Sequence, residues 1–159
     1  SQILRATLNT FFAIEKELYP NSLIKAAYET FAASVSGFCP ELDVCIKCNK
    51  EINPQNELWL DVMNGCLLCE ECKYKMPSTV TKDAVSVDEY ETRALFFPLD
   101  APSLMAMRYC ANAPIQRLFS FSIKNTDSAK LFYRAAEGYL LNHLERGFIT
   151  LNFYYKIKD

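Results

Sequence analysis

Apolar residues recur at three- and four-residue intervals towards both ends of the chain and at two-residue intervals near its middle. Leu4, Leu8, Phe11, Phe12 and Leu18 fall on one side of an amphipathic helix read over residues 3–18. Tyr19-Pro20-Asn21 breaks it, and Asn21 or Ser22 offers a cap for a second helix over 21–36. That helix turns Ile24, Ala27, Tyr28, Phe31 and Val35 inward, and Gly37 is placed to stop it. The two read as a helical hairpin whose aromatics are core. Asp100 caps a third helix over 101–112, with Pro102 in its first turn and Pro114 ending it. Asn125 or Thr126 caps the most regular helix, 126–146, which carries Phe132, Ala135, Ala136, Tyr139, Leu140 and Leu144 inward and closes at Gly147.

Between the two pairs of helices the period changes. Leu58, Leu60 and Val62 alternate with Trp59, Asp61 and Met63, which is strand spacing. Asn64-Gly65 is the favoured two-residue hairpin turn, and Cys66-Leu67-Leu68-Cys69 is the return strand. Residues 76–100 are the least regular part, with an acidic run from Asp83 to Glu91 and an extended apolar stretch from Arg93 to Pro98. Leu118 to Ile123 is ambiguous between a strand and a short helix. The tail from Phe148 to Tyr155 alternates, with Ile149, Leu151, Phe153 and Tyr155 on one side. The expected fold is mostly α: a single helical domain over 1–159 with an inserted β-hairpin and knuckle over 43–76.

The insert carries the chemistry. Cys45-Ile46-Lys47-Cys48 is followed after twenty residues by Cys69-Glu70-Glu71-Cys72. Each Cys-x-x-Cys turn aims two sulfurs at one point, and two such turns complete a tetrahedron around zinc. The proposed hairpin is what returns the second pair to the first. Two disulfides or four free core thiols are the plainer alternatives; disulfides would suit a secreted chain, and nothing here marks secretion. Cys66 is a fifth candidate, but pairing it with Cys69 would displace Cys72, so it reads as a strand residue. The closed site is expected to be structural, because a catalytic zinc keeps an open position.

Composition narrows the class. Half of the 159 residues are apolar and 13% aromatic, which excludes a disordered chain. No apolar run approaches the roughly 20 residues that span a bilayer. Of seven cysteines, Cys39, Cys66 and Cys110 lie outside the two pairs, and three spare thiols point to a reducing, cytoplasmic setting. The chain opens without Met and without a signal peptide, and reads as a fragment or a processed protein. The net charge of −2 argues against a strongly basic nucleic-acid binder. Residues 1–100 hold 9 Lys and Arg against 15 Asp and Glu, whereas residues 101–159 hold 8 against 4. An acidic partner would therefore meet the C-terminal part, although an ordinary solvated surface explains the same numbers.

No catalytic residue is expected. The single histidine, His143, sits alone on a helix. There is no glycine-rich phosphate loop and no Gly-x-Ser-x-Gly. An enzyme built around His143 is kept as a third possibility. A direct nucleic-acid module, with Lys47, Lys50, Lys73 and Lys75 around the knuckles touching phosphates, is the second.

Three stretches resemble one family. Ser36-Gly37-Phe38-Cys39-Pro40-Glu41-Leu42-Asp43 running into Cys45 and Cys48 looks like the junction of helix and zinc knuckle in RecO, the bacterial recombination mediator. Asn64-Gly65-Cys66-Leu67-Leu68-Cys69 resembles its return to the second knuckle. Ala113-Pro114-Ile115-Gln116-Arg117-Leu118-Phe119-Ser120-Phe121 and Tyr139-Leu140-Leu141-Asn142-His143-Leu144-Glu145-Arg146 resemble its closing segment. The resemblance covers nearly the whole chain but lacks the family's opening OB-fold, so it implies the C-terminal helical and zinc-knuckle part. It further implies strand annealing, action with RecR to load RecA, and binding of the acidic, hydrophobic tail of the single-stranded DNA-binding protein. DNA binding is implied for the whole protein more than for this part. A bacterial, nucleoid-associated location goes with that role. A carboxylate-bearing tail needs an apolar groove beside a guanidinium, which nominates Arg117, Arg134 and Arg146.

Overall fold

The computed structural model describes residues 1–76, 96–144 and 148–157. The acidic run 83–91, residues 93–95 of the extended stretch, Arg146 and Gly147 lie outside the described residues. Helices α1 (Gln2–Glu15) and α2 (Asn21–Val35) form the first layer. Strands β1 (Glu41–Cys45), β2 (Leu58–Asp61) and β3 (Cys66–Cys69) follow, then the short α3 (Glu70–Tyr74) and β4 (Phe96–Leu99). Helices α4 (Ala101–Asn112), α5 (Thr126–Leu144) and α6 (Ile149–Ile157) complete the chain, with a 3-10 turn at Ile115–Arg117. The architecture is mostly helical with a small sheet, as the change of period indicates.

Helix α2 ends on Gly37 at φ 95°, with Phe38 N–H bonded to Ala33 O (2.9 Å) and Gly37 N–H to Ser34 O (3.2 Å). This is a Schellman stop, and glycine takes the left-handed backbone without the Cβ penalty. α1 stops three residues before the expected boundary by the same motif. Leu18 N–H reaches Ala13 O, and Glu17 takes φ 49° where a glycine would sit at less cost. α2 has no side-chain cap: Asn21 is already its first residue and Pro20 precedes it. Asn125 does cap α5, its Oδ1 accepting from Asp127 N (2.8 Å) and Ser128 N (3.2 Å).

The first helix corrects the sequence reading. Its large apolar residues point outward: Leu4, Leu8, Phe11 and Phe12 are 55–63% exposed. The buried positions are Ala6 and Ala13. Small residues on that side let α1 lie close to α2, and the periodicity of the large ones marks a face left exposed among the described residues. Two other expectations change. The tail is helix α6, not an alternating segment, with Ser22 and Tyr154 hydroxyls 3.4 Å apart joining it to α2. Residues 118–123 form neither strand nor helix, but Leu118 and Phe119 are buried in the core.

The sheet has the order β1-β3-β2-β4. β2 pairs antiparallel with both β3 and β4, while β1 lies parallel to β3. The β2–β3 hairpin was expected as strands and the stretch to Pro98, which contains most of β4, as extended; β1 was not, because it gains its pairing with β3 from distant residues. The turn also differs. Asp61 pairs with Cys66, so four residues, Val62 to Gly65, make the connection. Asp61 organises them: its carboxylate accepts from Met63 N (3.1 Å), Asn64 N (3.2 Å) and Asn64 Nδ2 (2.8 Å), and Gly65 closes the loop at φ 64°. One sheet face sends Leu58, Leu60 and Leu67 into the core that also holds Ile24, Phe31, Met107, Phe132 and Tyr139.

Candidate metal centre

The first Cys-x-x-Cys turn begins where β1 ends. Cys45 is buried, and Asn49 N–H bonds back to Cys45 O at 2.8 Å with Asn49 at φ 54°. Cys45 N–H bonds to Lys50 O (2.9 Å) and Ile52 N–H to Asp43 O (3.0 Å), which closes the knuckle as a tight loop. The second pair straddles the end of β3 and the first turn of α3. β3 sits between β1 and β2, so it brings Cys69 against the first knuckle. Ile46 N–H bonds to Leu67 O at 3.0 Å and fixes that register.

The sulfurs of Cys45, Cys48, Cys69 and Cys72 all lie within 4.8 Å of one another, with Cys48 Sγ 3.9 Å from Cys69 Sγ. Four sulfurs about 2.3 Å from one zinc stand roughly 3.8 Å apart by tetrahedral geometry. The arrangement fits a metal ion with little rearrangement. Cys66 is outside the group: it pairs with Glu41 and Asp61 in the sheet, and burial raises its thiol pKa.

Electrostatics point the same way. Burial raises the Cys45 thiol, but N–H groups of Cys69, Cys48 and Lys47 outweigh it and bring the pKa down to about 6; the Cys69 N–H lies 3.4 Å from the sulfur. Hydrogen bonding to Cys69, followed by burial and contact with Cys48 and Cys45, pushes Cys72 up to about 12. A cluster this tight holds one thiolate easily and four only if a cation takes up their charge. The donor set is therefore suited to a metal, with four candidate ligands already in place.

The knuckle is bolted to the helices. Arg108 on α4 donates through Nε (3.0 Å) and a terminal nitrogen (2.5 Å) to Leu42 O, and pairs with Asp43 at 3.2 Å. Tyr139 on α5 donates its hydroxyl to Phe38 O at 3.0 Å, and Asn142 Nδ2 donates to Val62 O at 3.2 Å. Arg108 and Asn142 carried no sequence signal, since an arginine or asparagine on a helix surface is ordinary until its partner is known. His143 packs against the rings of Phe38 (4.8 Å) and Tyr139 (4.3 Å), and its Nδ1 is 2.9 Å from Tyr139 O. One ring nitrogen is thus engaged in the helix.

The nominated arginines are not brought together at this site. Arg117 is exposed at the end of the 3-10 turn, Arg134 is exposed on α5, and Arg146 is outside the described residues. Among the described residues neither guanidinium makes an ion pair. Of the knuckle lysines, Lys47, Lys50 and Lys75 are exposed, whereas Lys73 is half-buried over aromatic rings.

Fold and centre together define a helical protein carrying an inserted four-cysteine knuckle that could hold a metal ion. The family model described as Recombination protein O C terminal matches residues 1–151, and the chain belongs to that family. No curated protein and no solved structure matches it. Family membership gives a role in DNA recombination and repair at that level. No helix among the described residues is long and apolar enough to cross a membrane.

Proposed function

We propose that this chain is the partner-binding part of a RecO-like recombination mediator, with structural zinc held by Cys45, Cys48, Cys69 and Cys72. The helices bind the acidic, hydrophobic tail of the single-stranded DNA-binding protein, and the whole mediator works with RecR in strand annealing and RecA loading. Zinc supplies no chemistry in this reading; it holds the knuckle, and the domain has no catalytic residue.

One observation carries the partner reading. An open cleft of about 470 Å³ lies between α1, α2, the end of α4 and the 3-10 turn, lined by Gln2, Phe31, Val35, Pro114, Ile115 and Gln116. That volume suits a few side chains of a peptide. Arg117 follows Gln116 directly, and Asn9 Nδ2 donates to Ile115 O at 3.3 Å, so α1 packs against the same turn. A hydrophobic tail ending in carboxylates requires apolar contacts beside a guanidinium; the cleft supplies Phe31, Val35 and Ile115 among polar neighbours, and Arg117 is the next residue along the chain.

Titration with the last ten residues of that tail tests it. Arg117→Ala should weaken binding by about tenfold, the value of one charge-assisted hydrogen bond. Arg134→Ala and Arg146→Ala should matter less. Undiminished binding by Arg117→Ala would move the site away from the cleft. A second reading rests on the exposed Lys47, Lys50 and Lys75, which could meet phosphates. Tight single-strand binding by this chain with a steep salt dependence would favour it instead.

A further inference from the structure

We propose that Lys73 ties the packing of the sheet edge to the occupancy of the four-cysteine centre. The inference rests on the metal reading above and says what the metal controls beyond its own ligands. α3 spans only Glu70–Tyr74, has no side-chain cap and buries none of its residues. A single turn of helix does not persist in water by itself. Two candidate ligands pin it: Cys69 is its N-cap and Cys72 lies in its middle.

Lys73 follows Cys72 and is the residue that α3 extends over the sheet. Its Nζ lies 4.3 Å from the centre of the Phe96 ring and 5.4 Å from that of Trp59. Asp61 pairs with Phe96 and Trp59 with Pro98, so the two rings are diagonal neighbours on one sheet face. The opposite face meets the helices, where the Phe97 ring occupies the space that a Cβ on Gly138 of α5 would need. Among the described residues the buried Trp59 indole N–H has no acceptor, and packing and the cation overhead are what recommend that position. Among the described residues β4 is an outer strand with β2 as its one neighbour in the sheet. Its N-terminal end is therefore covered on this face by a side chain whose place depends on two metal ligands.

With metal bound, α3 is fixed and Lys73 stays over both rings. Loss of metal lets the turn fray, returns the ammonium to water and uncovers Phe96 and Trp59. Trp59 is the only tryptophan in the chain, so its emission reports the event.

The test compares the whole wild-type chain with Lys73→Ala and Lys73→Arg, with metal content measured on each sample. Hydrogen exchange is followed over residues 96–99 together with Trp59 emission. A chelator should speed exchange in wild type by about tenfold and shift the emission to the red. Metal-loaded Lys73→Ala should show the faster exchange while still holding its metal. Lys73→Arg, which keeps a cation over the rings, should restore protection. Metal-loaded Lys73→Ala with protection within about twofold of wild type would overturn the proposal. So would a chelator that strips the metal and leaves strand and emission unchanged. A wild-type chain holding no metal would remove the underlying reading and this proposal with it, and the metal measurement distinguishes that case from the others.

Discussion

Asp100 is the most heavily used polar side chain at the junction of α4 and α5. One carboxylate oxygen accepts from Ser103 N (3.0 Å) and Ser103 Oγ (2.6 Å), and the other accepts from the hydroxyl of Ser128 (2.5 Å), which is 1% exposed. Ser103 Oγ in turn accepts from Asp100 N at 2.8 Å, completing a capping box. Asp100→Ala removes the cap, worth about 1 kcal/mol. It also leaves the Ser128 hydroxyl buried and unpaired, which costs about 1–3 kcal/mol. Ser103 keeps the Asp100 carbonyl as a partner at 3.0 Å and adds nothing further. The expected loss is about 2–4 kcal/mol, or roughly 5–15 °C in thermal midpoint for a chain of this size.

Thermal unfolding followed by far-UV circular dichroism measures the loss directly. Adding Ser128→Ala to the Asp100→Ala background should return about 1 kcal/mol, because it removes the orphaned donor. The carboxylate also has a pH signature. Burial raises its pKa, but the hydroxyls of Ser103 and Ser128 and the Ser103 N–H outweigh burial and hold it below the ordinary 3.8. Its contribution is thus complete above the unfolded pKa and disappears as pH falls through the lower folded value. A destabilisation under about 0.5 kcal/mol for Asp100→Ala would refute both the cap and the Ser128 argument.

Two more substitutions probe other parts of the molecule. Gly65→Ala must hold a left-handed backbone at φ 64° and bring a Cβ within 2.7 Å of the Tyr139 hydroxyl, so it should cost at least about 2 kcal/mol in denaturant unfolding; a neutral result would mean the knuckle is not seated on α5 as described. Glu29 sits at the α2–α5 contact, where burial raises its pKa to about 7 against the opposing charge and hydrogen bond of Lys25. Lys25 nevertheless keeps its proton, since its ammonium also has Glu137 at 2.5 Å. Glu29 is therefore protonated in the folded chain and ionised in the unfolded one between about pH 4.5 and 7, so its part of the stability is full below the unfolded pKa and is lost as pH rises through that window. Glu29→Gln should flatten this fall in pH-resolved unfolding, and an unchanged slope would assign it to another group.

The helices were legible because their period, caps and stops are local. Gly37, Asp100, Pro114 and Asn125 each mark a boundary by an effect confined to one turn: a missing Cβ at Gly37, a ring at Pro114, and capping side chains at Asp100 and Asn125. The four cysteines were legible because their spacing states the geometry of the site. What escaped depends on partners far along the chain. β1 becomes a strand by pairing with β3, and β4, within a stretch read as extended, finds its neighbour in β2. The helix α6 hid behind an alternation of apolar residues too short to distinguish the two periods. α1 gives the clearest lesson: its stripe of Leu4, Leu8, Phe11 and Phe12 has helical spacing, yet spacing alone does not say which side meets α2. The close approach permitted by Ala6 and Ala13 decides that. The clamp of Arg108, Tyr139 and Asn142 on the knuckle was invisible for the same reason, since two of its three acceptors are backbone carbonyls before residue 43 and the third is at Val62.

The central claim is that four thiolates hold a structural zinc, and elemental analysis of freshly purified, fully reduced protein tests it most directly. The account predicts one zinc per chain, lost together with the β2–β3 knuckle in Cys45→Ser and in Cys72→Ser, because binding and local folding are coupled in such sites. A reduced chain that contains no metal, yet keeps the knuckle folded, would contradict it.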